Sequence, residues 1–197
     1  MKKFAKGALF AFAGAAALMS APASAAELVI DGGFESGNLS AWTNTGNLGG
    51  TTVTNGAART GLFGARLAPV GSIGTLSQVL NTIAGQTYTI SFDLRNGGDG
   101  VQNSFAVLFG GNTIFSQTNA VGPVSYLTQS FSAVATSALT NLTINYRHDR
   151  RFLNLDNVSV QGVAGVPEPE TWMMLLFGFG VAGFAMRRRN REVSAFA

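Results

Sequence analysis

The middle of the chain follows a two-residue period, which is the pattern of a β-strand with one buried face. The period is clearest over residues 87–94, where polar residues alternate with an apolar set, Tyr88, Ile90, Phe92 and Leu94. It recurs over residues 142–147, and Gly110-Gly111-Asn112 between two apolar runs predicts a hairpin. No window between residues 27 and 161 has a convincing helical period. The sequence therefore predicts an all-β fold, an antiparallel β-sandwich of the jelly-roll type.

Further strands are predicted over residues 28–30, 51–54, 65–69, 75–82, 126–135 and 152–160. The last of these changes phase, because Leu153 and Leu155 are apolar at odd positions and Val158 and Val160 at even positions. A regular strand cannot place both pairs on one face. Either a β-bulge near Asp156-Asn157 restores the phase, or both faces of this strand are buried.

The N-terminus has the features of an export signal. Lys2, Lys3 and Lys6 precede an apolar run over residues 7–19, and Ala23-Ser24-Ala25 supplies the small residues of a cleavage site. This order is typical of a secretory signal peptide, which we assign to residues 1–25. The sandwich body then covers residues 26–163, and a C-terminal tail covers residues 164–197.

The pI near 9.7 does not indicate a nucleic-acid partner once the charges are placed along the chain. Lysines at the N-terminus and arginines in the tail supply the excess, whereas residues 26–166 hold six arginines, seven acidic residues and no lysine. A nearly neutral body argues against a phosphate-binding face. The chain has no cysteine, which excludes disulfides and thiolate metal sites.

The tail contains an uncharged apolar run over residues 171–186 that ends at a basic cluster over residues 187–191. Trp172 at one boundary and arginines at the other predict a transmembrane helix with a cytoplasmic C-terminus. Gly178, Gly180 and Gly183 match the dinucleotide fingerprint G-x-G-x-x-G, but that motif requires a preceding strand and a βαβ unit. In an apolar helix the glycines instead permit close helix contact.

The order of features in the tail is specific: Pro167-Glu168-Pro169, then Trp172, the apolar run and the arginines Arg187, Arg188 and Arg189. It resembles the PEP-CTERM sorting signal in its PEPxxWA variant, with Met173 in place of the alanine. The resemblance implies that the chain is a substrate of an exosortase, a membrane-embedded cysteine protease or transpeptidase of Gram-negative bacteria. It also implies an inner-membrane-anchored precursor that reaches the cell surface or extracellular matrix, where exopolysaccharide and biofilm are made.

Patterns that indicate catalysis are weak in the body. His148 is the single histidine, and its neighbour Asp149 points to the opposite face of a strand, which is unsuitable for a Ser-His-Asp triad. One histidine also excludes a histidine-rich zinc site, and no G-x-S-x-G elbow occurs. A glycosidase needs two facing carboxylates, and the sequence marks no such pair. We therefore expect a non-catalytic protein.

Three segments of the body occur in a suggestive order, namely residues 29–42, 85–92 and 155–160. Their order is similar to that of the galactose-binding-like jelly rolls, which include many carbohydrate-binding modules. The resemblance implies that Glu35 and Asp156 ligate a structural calcium ion, which prefers oxygen ligands. The alternative is that both carboxylates cap turns or accept hydrogen bonds from backbone amides.

The candidate ligand-binding residues are Trp42, Tyr126, Tyr146 and Arg147, because sugar sites combine aromatic platforms with polar neighbours. Trp42 alternatively belongs to the core. The charged segment 147–151 suits an acidic polysaccharide or is simply a solvated loop. The leading hypothesis is an exported protein that binds or organises exopolysaccharide; the alternatives are a purely structural surface protein and a polysaccharide hydrolase.

Overall fold

The computed structural model describes residues 25–97, 101–122, 124–162 and 169–193, and in the last segment the side chains of residues 173–184 and 187. The predicted signal peptide lies outside the described residues except for Ala25, as do Pro167 and Glu168 of the sorting motif. The side chains of Trp172, Arg188 and Arg189 also lie outside them.

Two antiparallel sheets of five strands each face one another. The first sheet contains, in spatial order, β1 (Thr43–Gly46), β4 (Gly74–Asn81), β9 (Leu139–His148), β6 (Asn103–Phe109) and β7 (Asn112–Thr118). The second sheet contains β2 (Thr52–Thr54), β3 (Gly64–Leu67), β10 (Leu153–Gly162), β5 (Thr87–Asn96) and β8 (Leu127–Val134). The predicted antiparallel sandwich is confirmed.

Strand β5 shows how the two-residue period builds the core. Its alternating apolar side chains are buried between the sheets, as predicted, and its aromatic and β-branched residues suit this half-buried surface. The ring of Phe92 lies with its centroid 5.5 to 6.3 Å from the rings of three other phenylalanines, Phe105, Phe115 and Phe131. These three come from both sheets, so one aromatic cluster joins the two layers of the sandwich.

The predicted hairpin is formed by β6 and β7. Gly110 and Gly111 connect the strands with φ angles of 58° and 82°, and Phe109 pairs with Asn112 at the end of the ladder. A two-residue turn with positive φ at both positions is the type I′ turn, which glycine adopts without steric cost.

The start of the body is not the strand predicted over residues 28–30. A single bridge, Glu27 with Gln161, links this segment to β10. Asp31 and Phe34 then adopt φ angles of 52° and 58°, which turn the chain away from the sheet. The sequence pattern in turn does not predict β1, because none of its four residues, Thr-Asn-Thr-Gly, is apolar.

Strand β10 combines the two alternatives that its phase change left open. Its register against β5 shifts between Asp156 and Ser159, and Asn157 adopts a φ of 50°, so a bulge lies at the predicted place. The bulge returns the apolar residues at even positions to the core. On the opposite face Asn154 and Asp156 are 1% and 0% exposed, so that face is buried at these positions as well.

Helix α1 extends over Pro169–Val193 and is longer at both ends than the span predicted over residues 171–186. Gly178, Gly180 and Gly183 lie inside it, which confirms that they do not form the strand–turn–helix of a nucleotide motif. Within the described residues, none of the helices is long and apolar enough to cross a membrane, so the predicted transmembrane segment is not confirmed.

Candidate functional site

Two of the four predicted ligand-binding residues belong to the core. Trp42 is 3% exposed, its ring stacks on Phe34 at a centroid distance of 5.7 Å, and its Nε1 donates to the carbonyl oxygen of Asp31 at 3.3 Å. Tyr146 is fully buried, and this burial raises the pKa of its hydroxyl. The prediction of a surface platform at these two residues is corrected, because both rings point inward where they contribute apolar area.

The other two predicted residues lie on opposite sides of the sandwich. Arg147 is on the outer face of the first sheet, where its Nε and Nη2 donate to the two carboxylate oxygens of Asp149 at 2.7 and 2.5 Å. Hydrogen bonds from Arg147 and the Gly71 amide lower the pKa of Asp149 to about 2. Tyr126 is half-buried immediately before β8 of the second sheet. The four predicted residues therefore do not form one site.

The outer face of the second sheet instead carries three polar side chains that we call the arginine row: Arg66, Asn154 and Arg95. Arg66 on β3 and Arg95 on β5 are both register partners of Asn154 on β10, so the three lie side by side across three strands. Arg66 projects outward because its neighbours Ala65 and Leu67 are both buried in the core, and side chains alternate along a strand.

Each arginine of the row is stacked on an aromatic ring. The guanidinium carbon of Arg66 lies 4.1 Å from the ring centroid of Phe152, and that of Arg95 lies 5.0 Å from the ring centroid of Tyr126. Arg59 approaches the same tyrosine from a distance of 5.9 Å. Stacking fixes the plane of a guanidinium group while its N–H edge can still meet a planar anion.

Backbone carbonyl groups of the 3-10 turn Asn55–Ala57 accept hydrogen bonds from Arg95 and from the tyrosine on which it stacks. The Tyr126 hydroxyl donates to the carbonyl oxygen of Ala57 at 2.5 Å, and Arg95 Nη2 donates to that of Gly56 at 2.8 Å. The Asn154 side-chain oxygen accepts from Arg95 Nε at 2.9 Å, in the amide orientation that satisfies both of its polar atoms. Burial raises the pKa of Tyr126 to about 12, so its phenol is a hydrogen-bond donor at neutral pH.

Beside the row, two carboxylates face each other across β5 and β10. Asp93 and Asp156 are register partners and are 5% and 0% exposed. Asp93 accepts hydrogen bonds from Thr128 Oγ1 at 2.5 Å and from Asn157 Nδ2 at 2.8 Å, and Arg59 Nε lies 3.6 Å from its Oδ2. Two carboxylates are therefore register partners, as a glycosidase would need two facing carboxylates. Both are buried and hydrogen-bonded to other groups of the protein.

The two predicted calcium ligands both hold the segment over residues 58–63. Asp156 accepts hydrogen bonds from the amides of Arg59 and Thr60 at 2.6 and 3.1 Å, and from the amide of Asn157 at 2.7 Å. Glu35 accepts hydrogen bonds from the amides of residues 62 and 63 at 2.9 to 3.1 Å. Burial raises the pKa of Asp156, and the three amides act in the opposite direction.

These contacts fit the alternative interpretation, in which the carboxylates of Glu35 and Asp156 accept hydrogen bonds from backbone amides. Each carboxylate is thus used by backbone N–H donors in this structure. The part of the chain that the structure describes contains no group of three or more His, Cys, Asp or Glu side chains suited to a metal. The calcium ion stays a prediction.

His148 does not stand in a triad geometry. It is fully buried at the end of β9, and its Nδ1 accepts a hydrogen bond from the amide of Arg151 at 3.0 Å. The adjacent carboxylate, Asp149, accepts hydrogen bonds from Arg147 and Gly71 instead. An acid that orients a histidine must bond to it directly, so this pair lacks the arrangement that a Ser-His-Asp mechanism needs.

The sequence patterns did not identify Arg66, Asn154, Arg95, Phe152 or Asp93 as a group. Phase alone assigns the two arginines to outer faces, because Arg66 lies between buried Ala65 and Leu67, and Arg95 follows buried Leu94 in the alternation of β5. Which strands become neighbours depends on long-range register, and no local pattern encodes the meeting of β3, β10 and β5.

In comparisons with known proteins, residues 165–189 match the PEP-CTERM protein-sorting motif. No curated protein matched the chain. Among solved structures, TmCBM61, determined with beta-1,4-galactotriose, has a TM-score of 0.52 and 18% identity, covering 68% of this chain and 98% of that one. The CBM22-1 xylan-binding domain of Xyn10C from Paenibacillus barcinonensis has a TM-score of 0.52 and 13% identity, covering 75% and 99%.

The K3 cleaved adhesin domain of Lys-gingipain from Porphyromonas gingivalis is also similar, with a TM-score of 0.54, 15% identity, and coverage of 70% of this chain and 99% of that one. At these identities the likeness shows the fold alone. The chain thus carries a PEP-CTERM protein-sorting motif C-terminal to a β-sandwich that shares the jelly-roll fold of carbohydrate-binding modules.

Proposed function

We propose that this protein is exported, sorted by an exosortase, and binds carbohydrate on the outer face of its second sheet without catalysing a reaction. The sorting motif supports the delivery route, from an inner-membrane-held precursor to the cell surface or extracellular matrix. The fold shared with TmCBM61 and the xylan-binding CBM22-1 domain supports the binding role. The observation that carries the proposal is the arginine row with its two stacked aromatic rings.

The arginine row supplies ordered hydrogen-bonding groups that a polysaccharide can contact. The two guanidinium groups offer hydrogen-bond donors on either side of β10, and the buried Asn154 between them orders Arg95. Because hydrogen bonds to Gly56 and Asn154 already order Arg95, less conformational entropy is lost when a ligand binds. In the proposed setting the ligand is extracellular polysaccharide, and the protein binds or organises it.

The state of the carboxylates supports a non-catalytic role. A glycosidase needs one carboxyl group as acid and another as base or nucleophile, each within reach of the glycosidic bond. Asp93 and Asp156 are directly opposed, but the segment over residues 58–60 covers them and its backbone amides bond to Asp156. A polysaccharide on this face would meet the arginines before it met either carboxylate.

A glycan-binding screen of the purified full-length chain in mild detergent tests the binding role. The screen includes the producing organism's own exopolysaccharide, and we expect binding to at least one polysaccharide. Asn154→Ala should weaken that binding, whereas Asn145→Ala, the same change on the outer face of the first sheet, should leave it unchanged. Binding to no glycan at all would overturn the proposal and favour a purely structural surface protein.

Two further measurements separate the remaining parts of the proposal. Incubating the bound polysaccharide with the protein and assaying new reducing ends tests catalysis, and their appearance would favour the hydrolase alternative. Replacing Pro167, Glu168 and Pro169 by alanine should trap the protein in the cell-envelope fraction, because the sorting motif would no longer be recognised. Unchanged export of that variant would contradict the exosortase route.

A further inference from the structure

Two arginines on the outer face of the second sheet form no ion pair with a described carboxylate. Arg59 is 3.6 Å from Asp93 and is compensated by it. Asp156 is fully buried and bonded to backbone amides. Among the described residues, neither Arg66 nor Arg95 has a carboxylate within 4.0 Å. The surface of this face therefore carries two guanidinium groups with no carboxylate in direct contact.

The geometry of these two cations suits carboxylates that recur along a chain. Arg66 and Arg95 flank Asn154 and are separated by two strand spacings, which is about 10 Å. The guanidinium group of Arg66 stacks on the ring of Phe152, and the Arg66 side chain is exposed. A planar guanidinium with a fixed orientation bonds a carboxylate through two parallel N–H groups, which a lysine cannot do.

We propose that the carbohydrate bound by this face is an acidic polysaccharide, that Arg66 binds one uronate carboxylate through two N–H groups, and that Arg95, whose Nε and Nη2 already donate to Asn154 and Gly56, attracts a second carboxylate through its charge and its remaining N–H groups. This inference rests on the proposed carbohydrate-binding function and names its ligand class. The first sheet offers a natural contrast, since Arg147 on its outer face is already paired with Asp149 through two hydrogen bonds.

The test uses the full-length chain in affinity gel electrophoresis with polygalacturonate and with its fully methyl-esterified form, which has the same backbone without the carboxylate charge. We expect retardation by polygalacturonate and none by the ester. Arg66→Gln should weaken the interaction about tenfold, because a charge-assisted bidentate contact is lost. Arg66 makes no protein hydrogen bond among those described, so circular dichroism should show an unchanged fold.

Arg147→Gln is the matched control, because it removes the same charge from the opposite side of the sandwich. Basic residues near both ends of the chain also attract polyanions, and this control separates that general attraction from recognition at the row. Equal weakening by Arg66→Gln and Arg147→Gln would overturn the inference. Full affinity in Arg66→Lys would do so as well, because the bidentate geometry would then be irrelevant.

Two other outcomes separate the inference from the function on which it rests. Equal binding of the acidic and the esterified polymer, unaffected by Arg66→Gln, would overturn the acidic ligand class and leave carbohydrate binding intact. Binding of dextran sulfate without binding of polygalacturonate would overturn the assignment to carboxylates. If no polysaccharide binds, acidic or neutral, the proposed function itself fails.

Discussion

Replacing Asp156 by alanine tests how the outer face of the second sheet is held together. This side chain is fully buried on the polar face of β10 and accepts hydrogen bonds from three backbone amides. Two of those amides, in Arg59 and Thr60, belong to the segment that covers the face. The substitution should therefore loosen this segment and destabilise the fold.

The magnitude follows from the surroundings of each amide. Arg59 and Thr60 are exposed, so their amides can bond to water after the substitution. Each of these lost hydrogen bonds therefore costs about 0.5–1.5 kcal/mol net. The amide of Asn157 lies in the bulge, and losing its partner costs about 1–3 kcal/mol. Removing the charge opposite Asp93 returns roughly 0.2–1 kcal/mol. We expect the free energy of unfolding to fall by about 3 kcal/mol.

Urea unfolding followed by far-ultraviolet circular dichroism measures this change. Glu35→Ala is the control, because Glu35 bonds two amides of the same segment but is itself exposed, and its loss should cost about 1 kcal/mol, the low end of the range for two such hydrogen bonds. A loss for Asp156→Ala that does not exceed the loss for Glu35→Ala would refute the reasoning.

The same titrations test the predicted calcium ion when they are repeated with a chelator and with added calcium. If Glu35 and Asp156 are calcium ligands, the chelator should destabilise the natural protein and should have no effect on either alanine variant. Equal stability of the natural protein in both conditions would show that the carboxylates serve the segment over residues 58–63 alone.

Three smaller predictions concern single positions. Gly32→Ala should lower the free energy of unfolding by about 1–3 kcal/mol in urea titrations, since its Cβ would lie 1.8 Å from the Val158 carbonyl oxygen; Gly56→Ala, with nothing within 4 Å, should change it little. Tyr126→Phe should remove a tyrosinate absorbance phase near pH 12, and because the folded pKa is raised, the stability linked to this phenol is lost as pH rises from about 10 to about 12. A carboxyl titration by nuclear magnetic resonance should place the pKa of Asp149 at about 2 and show it rising in Arg147→Gln; the stability linked to this carboxylate is present above its ordinary pKa and is lost as pH falls.

Some elements could be read from the sequence because their signal is local. The alternation in β5, the glycine pair between β6 and β7, and the phase change in β10 each lie within a few residues, and the structure has each where the pattern predicts it. The sorting motif is local as well, and residues 165–189 match its family. Local geometry suffices for these features, because turns and side-chain alternation involve only neighbouring residues.

The candidate ligand-binding site could not be predicted from local patterns, as the four predicted residues show. Trp42 and Tyr146 are aromatic residues with a polar atom, which suits a ligand platform and a core equally well. Tyr146 shares the phase of Leu142 and Ile144, so the alternation of β9 places its ring inside, although its residue type also suits a binding site. Tyr126 and Arg147 were placed on different sheets by pairings that span the chain.

By itself the sequence determined the period of the strands, the phase change in β10 and the sorting motif, because each depends on residues that are neighbours in the chain. The tertiary structure alone decided that Arg66, Asn154 and Arg95 form a row, and that Asp93 lies opposite Asp156. These groups come from strands far apart in sequence. Burial of both sheets in one core sets their register, and the surface chemistry follows from that register.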